Sequence, residues 1–379
     1  MRSNRPSMNM SETKLLSDDR FLRRVAEHYY GNGLSQEAIA DGEGCSRMTV
    51  SKALQKAKTA GIVRISILPE LRGGYLRNLS REARLELGLE DLVLVPGRSF
   101  EGMAKADTNE NVVIDIAQAA AEYLDQLLVD SSILAMSGGT MMRSVTRFLR
   151  PTKMLPHLNV VSTIGFVEPH TTEGDANMVT YELAQAYGGT HTWFCAGAFF
   201  PSISQAQLKD LSAMIQQYPM VKKAYDLYEQ ASIFMMGLWT PSTNDEVVMK
   251  GILSQEQISI IEKQQPAVDI NHWVFDAQGR CINTMLDPSP YYLTGFEIPS
   301  LKEKIQTKGV KAILVAGGGP AYVPAIHAAL QAGLANILVT DHITAQYLLR
   351  LAVRRKGVQE DNVSTHSFLQ EDEYRQSLR

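Results

Sequence analysis

Between Cys45 and Leu68 the chain carries Arg47, Lys52, Lys56, Lys58 and Arg64 and not one acidic residue. Cationic side chains clustered without competing carboxylates suit the phosphates of a nucleic-acid duplex. Short polar or Arg side chains near a helix N-terminus suit the base edges of the major groove. Arg47, Thr49, Ser51 and Lys52 are candidates for the base edges, with Gln55 one turn further on. Lys56, Lys58 and Arg64 are candidates for the phosphates. Ser35, Gln36 and Ser46, where two short helices begin, complete this DNA-facing set. The bland alternative is a small helical bundle with an incidentally basic face. The turn, the caps and the missing acids all favour DNA.

A second group of residues offers different chemistry. Ser137-Gly138-Gly139-Thr140-Met141 and Gly317-Gly318-Gly319-Pro320-Ala321-Tyr322 each follow an apolar run and lead into a helical pattern. Glycines let a backbone approach a ligand, and helix N-terminal N–H groups favour an anion or sugar oxygens. Ser137, Thr140, Thr163, Asn177, Asp269 and Tyr322 would suit a polyhydroxyl ligand, with Trp239 or Tyr291 as a stacking face. Asp269 stands out as an acid in the otherwise apolar run Ala267 to Ile270. It could also be a plain strand-end carboxylate, and each glycine loop a plain turn.

Catalysis would need a positioned base, for which Asp269 could serve with His170, His191 or His272 as partner. No His–carboxylate spacing is distinctive, and there is no Walker A loop, HExxH or GxSxG. Binding is therefore expected rather than turnover. An isomerase-like enzyme with an appended DNA-binding head is the alternative.

These groups need a scaffold, and 379 residues at 45% hydrophobic and 21% charged content allow two or three domains with sizeable cores. Residues 1–72 hold 12 Lys+Arg against 8 Asp+Glu, about +4; the remainder, 25 against 33, is near -8. A basic head on an acidic body results. Residues 1–15 lack apolar periodicity and read as a disordered arm. Residues 16–68 read as three helices and a strand, a winged helix-turn-helix. Ser17 is the expected cap of the first helix, in which Phe21, Leu22, Val25 and Tyr29 recur at helical spacing. Gly31-Asn32-Gly33 should stop it, and Gly42 to Gly44 should form a tight turn. In the third helix Val50, Ala53, Leu54 and Ala57 share one face. Ile62 to Leu68 alternates as a strand.

Residues 69–90 read as a Leu- and Arg-rich connector, and residues 91–379 as an α/β domain. In that domain the apolar runs Leu92–Val95, Ile133–Met136, Val160–Ile164, Ile233–Gly237, Ala312–Ala316 and Ile337–Thr340 are strands. Helical patterns such as Asn109–Leu128, Ala176–Tyr187 and Pro324–Ala332 lie between them. Strands apolar throughout and separated by helices predict a doubly wound, mostly parallel sheet covered on both faces. Ligands of such sheets bind beyond the strands' carboxyl ends, where both glycine loops fall.

Three scattered cysteines with no CxxC spacing argue against a disulfide scaffold or a structural zinc site. No uncharged apolar run reaches about 18 residues, so no membrane span is expected. The polar first residues lack a signal peptide's apolar region, which makes the cytoplasm the expected compartment.

The stretch GLSQEAIADGEGCSRMTVSKALQKAKTAGIVRISI, Gly33 to Ile67, resembles the DNA-binding head of the SorC family of bacterial transcriptional regulators. The family pattern there is "gxsqxeIAxxlgiSrxtVSrlLkxArxxGiVxI". Gly237 to Ser242 (GLWTPS), the AVDI run and VAGGGPAYVPAIHAALQAGLANILVTDHITAQYLL, Val315 to Leu349, follow in the family's order. The resemblance implies a helix-turn-helix followed by a sugar-binding domain related in fold to sugar-phosphate isomerases. It implies homodimers or homotetramers on palindromic operators, a sugar-like effector, no cofactor, no metal and no membrane. It also implies that Ser137 to Met141, Gly318, Gly319 and Asp269 contact the effector. The chain departs from the pattern at three positions where cations are common: at Tyr322, at Gly139 and around Tyr291 to Gly295. A phosphate favours Lys or Arg, so these departures point to a neutral sugar or polyol.

Overall fold

The computed structural model describes residues 14–63, 75–166, 174–201, 205–241, 253–289 and 291–358. Arg64, His170 and most of the expected strand Ile62 to Leu68 lie outside the described residues. By its internal contacts the chain divides into two units, residues 1–70 and 71–379.

In the first unit, helix α1 (Asp19–Ala26) is capped by Asp18, whose Oδ1 accepts from the Arg20 N–H at 2.9 Å. The expected cap, Ser17, instead donates its hydroxyl to the Lys14 carbonyl at 2.8 Å. A carboxylate is the better partner for the positive end of a helix, so Asp18 takes the role. One π-helical turn, Glu27–Gly31, follows before the chain leaves the helix at Asn32. Helix α2 (Gln36–Glu43) starts at Ser35, whose Oγ accepts from Ala38 N, and ends at Gly44 in the left-handed region. Gly42 is thus inside the helix, and the turn is shorter than expected. Helix α3 (Arg47–Thr59) is capped by Ser46 Oγ, which accepts from Thr49 N at 3.0 Å. Phe21, Leu22, Val25, Ile39, Ala40, Val50, Ala53, Leu54 and Ala57 form its buried core, with Tyr29 packed against it. The helical spacing read from the sequence is the spacing of that core.

The second unit opens with α4 (Tyr75–Glu86) and strand β1 (Asp91–Val95). Ala83 is fully buried, and Ser80 Oγ donates to the Leu92 carbonyl, so the stretch after Tyr75 packs into this unit. Then follow α5 (Glu110–Leu127), β2 (Ile133–Met136), α6 (Thr140–Phe148), β3 (Asn159–Ser162), α7 (Ala176–Tyr187), β4 (Thr190–Thr192) and β5 (Phe199–Pro201). Next come α8 (Gln205–Gln216), α9 (Pro219–Gln230), β6 (Ile233–Met236), α10 (Gln255–Glu262), β7 (Pro266–Ile270), β8 (Trp273–Asp276) and α11 (Ile282–Met285). The last described elements are β9 (Tyr291–Leu293), α12 (Leu301–Lys308), β10 (Lys311–Val315), α13 (Tyr322–Gln331), β11 (Ile337–Asp341) and α14 (His342–Val358).

Among the described residues, seven strands form one sheet in the order β1-β11-β10-β6-β2-β3-β4, every neighbouring pair parallel. Side chains alternate between two cores. Leu134, Met136, Ile233, Met235, Ile313, Val315, Ile337 and Val339 face α5, α6 and α7. Ala135, Phe234, Met236, Ala312, Leu314 and Leu338 face the opposite layer. Such double-sided burial explains why these strands read as continuous apolar runs. Two antiparallel pairs, β5 with β9 and β7 with β8, lie outside the sheet and were not anticipated.

Candidate functional site

From β2 the chain winds outward through β3 and β4; from β6 it winds the other way through β10 and β11. The neighbours β2 and β6 thus mark the point where the winding reverses. The loops leaving their carboxyl ends must part there, and a crevice opens. A cavity of about 90 Å³ occupies that place. Ser137, Gly138, Gly139, Thr140, Met141 and Ser144 line it from the β2–α6 side, and Gly237, Leu238 and Trp239 from the end of β6. Asn271, Tyr322, Val113 and Val315 close it. Among the described residues that line it, none is charged.

Gly139 is the N-cap of α6, with φ +92°, and it offers no side chain to cap the helix. The first-turn N–H groups therefore remain as donors at the cavity they border. A Cβ on Gly139 would also meet the Trp239 ring at 3.3 Å, so glycine keeps loop and wall in close approach. Trp239 stacks on His272, with ring centroids 5.0 Å apart and planes at 26°. Its backbone exchanges two hydrogen bonds with Asp269, at 2.8 and 3.0 Å.

Asp269, expected to face the effector, is buried and is not a lining residue. Its Oδ1 accepts from His272 N at 2.7 Å and closes the tight turn between β7 and β8. Both turn residues, Asn271 and His272, have positive φ. Asn271 is the residue this hairpin sends to the cavity, and its amide donates to Thr163 Oγ1 at 2.6 Å. Thr163 therefore stands behind the lining. Asn177 does as well, because its Oδ1 accepts from Phe194 N at 2.9 Å and its amide donates to the same residue's carbonyl. Tyr291 is fully buried and donates its hydroxyl to the His272 carbonyl at 2.5 Å, which makes it a strut rather than a stacking face.

Of the second glycine loop, only Tyr322 reaches the lining. Burial pushes its hydroxyl pKa up, so it stays a neutral donor. Gly318 and Gly319 position it from behind. Gly318 accepts from Asn109 N at 2.7 Å and donates to Asp341 Oδ2 at 2.8 Å. Sequence reasoning missed Val113, Ser144, Gly237, Leu238, Asn271 and Val315. Asn271 alone had a readable signal, an Asn between two apolar runs.

A larger groove of about 610 Å³ lies by Asp125, Arg150, Thr152 and Lys153, where α5 runs toward the start of β2. Its central carboxylate, Asp125, already accepts from Thr152 N, Thr152 Oγ1 and Tyr187 OH. The smaller cavity, at the reversal of winding, is the better candidate for a ligand site.

In the first unit, Arg47, Ser51, Lys52, Gln55, Lys56 and Lys58 are exposed along α3, joined by Met48. Thr49 is a correction to the DNA-facing set: it is 4% exposed, faces the core and lies 2.8 Å from Ser46 Oγ through its own hydroxyl. Ser35 and Ser46 use their side-chain oxygens as caps. Gln36 is half-buried. Arg47 Nε lies 3.0 Å from Glu37 Oε1, and Lys58 Nζ sits 5.9 Å from the Tyr30 ring centre. Among the described residues, no helix is long and apolar enough to cross a membrane.

Comparison with known proteins gives the same organisation. The family described as "Putative sugar-binding domain" matches residues 75–350, well over half of the chain. The chain is 26% identical over 326 residues to the deoxyribonucleoside regulator of Bacillus subtilis (strain 168), covering 86% of this chain and 96% of that protein. It is 25% identical over 338 residues to the transcriptional regulator LsrR of Escherichia coli (strain K12), covering 88% and 96%. In fold it is similar to the full-length sorbitol operon regulator SorC from Klebsiella pneumoniae, with a TM-score of 0.58 at 23% identity over 87% of this chain and 98% of that one. The chain belongs to this sugar-binding-domain family.

Proposed function

We propose that this chain is a DNA-binding transcriptional regulator of a carbohydrate or polyol catabolic operon, switched by a small sugar-like effector. The effector sits in the cavity between the β2 and β6 loops. The hydroxyls of Ser137, Thr140, Ser144 and Tyr322, the Asn271 amide and the first-turn N–H groups of α6 meet its oxygens, and Trp239 covers an apolar face. Arg47, Ser51, Lys52 and Gln55 meet base edges, while Lys56 and Lys58 meet phosphates. The protein acts in the cytoplasm as a homodimer or homotetramer on paired half-sites, and it binds its effector without turning it over.

The observation that carries this reading is a cavity whose described lining is uncharged and rich in neutral donors and acceptors, at the reversal of winding in a sheet whose chain also bears an acid-free basic helix. Neutral donors match sugar hydroxyls, whereas a phosphate draws most from Lys and Arg. An isomerase would need a base in the cavity, and the Asp269 carboxylate is engaged in a turn behind it. Control then follows from linkage: an effector that prefers one body conformation alters DNA affinity by its preference alone.

The test is a thermal-shift screen of the full chain against sugars, polyols and their phosphates. A neutral compound at 100 times its Kd should stabilise the body by about 2.7 kcal/mol. A shift with sugar phosphates only would replace the neutral effector by a phosphorylated one. No shift with any of them would remove the cavity as a sugar site.

A further inference from the structure

We propose that Met48 reads a thymine methyl group in the major groove and so fixes the base at one position of each operator half-site. The proposal rests on the DNA-binding reading of the first unit and names one of its specificity residues. Met48 is 67% exposed on the first full turn of α3. Ala57, wholly buried, lies nine residues on, and at about 100° per residue the two point in opposite directions. Met48 is therefore the residue of that turn aimed most directly away from the bundle core. Of its neighbours on the same turn, Thr49 and Val50 are buried, and Arg47, a polar reader of base edges, also pairs with Glu37 at the exposed surface.

The exposed face around Met48 is polar or cationic, with Ser51, Lys52, Gln55 and Lys56 following it and no acid from Cys45 onward in the helix. Such a face is complementary to DNA, and DNA is the occupant this charge pattern assigns to the thioether. The only apolar group a base pair presents in the major groove is the thymine methyl. A Met side chain is long, unbranched and polarizable, so it can follow that methyl without demanding one rotamer.

The test uses the full chain and a library of random-sequence duplex DNA. Sites enriched from the library are resynthesised with each thymine in turn replaced by deoxyuridine, which removes only the methyl group. Wild-type affinity should fall roughly fourfold at one thymine per half-site, the loss expected for one buried methyl. Met48→Ala should bind the thymine site about as weakly as wild type binds the uracil site, and should not distinguish the two. Met48→Leu should keep the discrimination, and the salt dependence of all three proteins should be equal. Indifference of wild type to every methyl, or the same uracil penalty in Met48→Ala, would overturn the role of Met48 while leaving DNA binding intact. A library that enriches no sequence would overturn the DNA-binding reading itself, and this inference with it.

Discussion

The N–H of Gly318 donates to Asp341 Oδ2 at 2.8 Å, although the two residues belong to different strand ends. The same carboxylate accepts from Thr344 N at 2.9 Å and Thr344 Oγ1 at 2.6 Å, and Asp341 is fully buried. One side chain thus caps the start of α14 and holds the loop that places Tyr322. Asp341→Ala would strand several buried donors at once. We expect a loss of roughly 2–4 kcal/mol, since each unsatisfied buried group costs about 1–3 kcal/mol. Urea denaturation measures it, and an unchanged midpoint would show that the loop is held by other means.

Gly139→Ala should close the effector site without unfolding the body. The position has φ +92°, costly for any residue with a Cβ, and the added methyl would meet the Trp239 ring at 3.3 Å. Loop or indole must move into the cavity they line. The expected outcome is loss of effector-induced stabilisation in a thermal-shift assay, with operator binding retained. A normal shift would place the ligand elsewhere.

Lys56→Ala should weaken binding to all DNA alike. Lys56 is exposed on the third turn of α3, beyond the groove-facing N-terminal residues. A phosphate contact carries no sequence information, so its loss lowers specific and non-specific affinity together. The slope of log K against log salt should fall by about 1. A change confined to one operator sequence would instead make Lys56 a base reader.

Acid should destabilise the sheet's β4 edge through His191. Burial holds its pKa down, at about 4, against 6.5 for the free side chain. The Thr180 hydroxyl donates to the Ala176 carbonyl and so accepts from His191 Nε2, which leaves Nδ1 buried without a partner and unprotonated. Between pH 6.5 and 4 the unfolded chain binds the extra proton, so stability is complete above about 6.5 and declines as pH falls. His191→Gln should flatten that part of the profile. Urea midpoints at pH 7.5 and 5 for both proteins decide it, and parallel profiles would acquit His191.

Regular periodicity was the part of the fold open to sequence reading. The strands Ile133–Met136 and Ile337–Asp341 and the helix Ala176–Tyr187 lie where apolar runs and helical spacing placed them. Ser35 and Ser46 are caps because a short side-chain oxygen before a helix has few other uses. What escaped was non-local. Asp18 outcompetes Ser17 only by its charge. The turn at Asn271-His272 takes two positive φ angles without the glycine that usually announces one, so the hairpin around it went unread and Asp269 was given to the ligand. The helical wheel that buries Thr49 turns the adjacent Met48 outward, yet residue type drew attention to the threonine.

The reversal of winding at β2 and β6 also bears on how the body comes apart. On one side β2, β3 and β4 come from residues 133–192; on the other β6, β10 and β11 come from residues 233–341, with β1 (residues 91–95) added at the outer edge, and the two sets meet along a single strand–strand boundary within the sheet. Partial unfolding should follow such a boundary, one half opening while the other persists. A ligand seated across it makes contacts to both halves and loses them whichever half opens. Occupancy would then act as a splint, and amide exchange in β3 and β4 should slow in step with that in β10 and β11, merging two units of local stability into one.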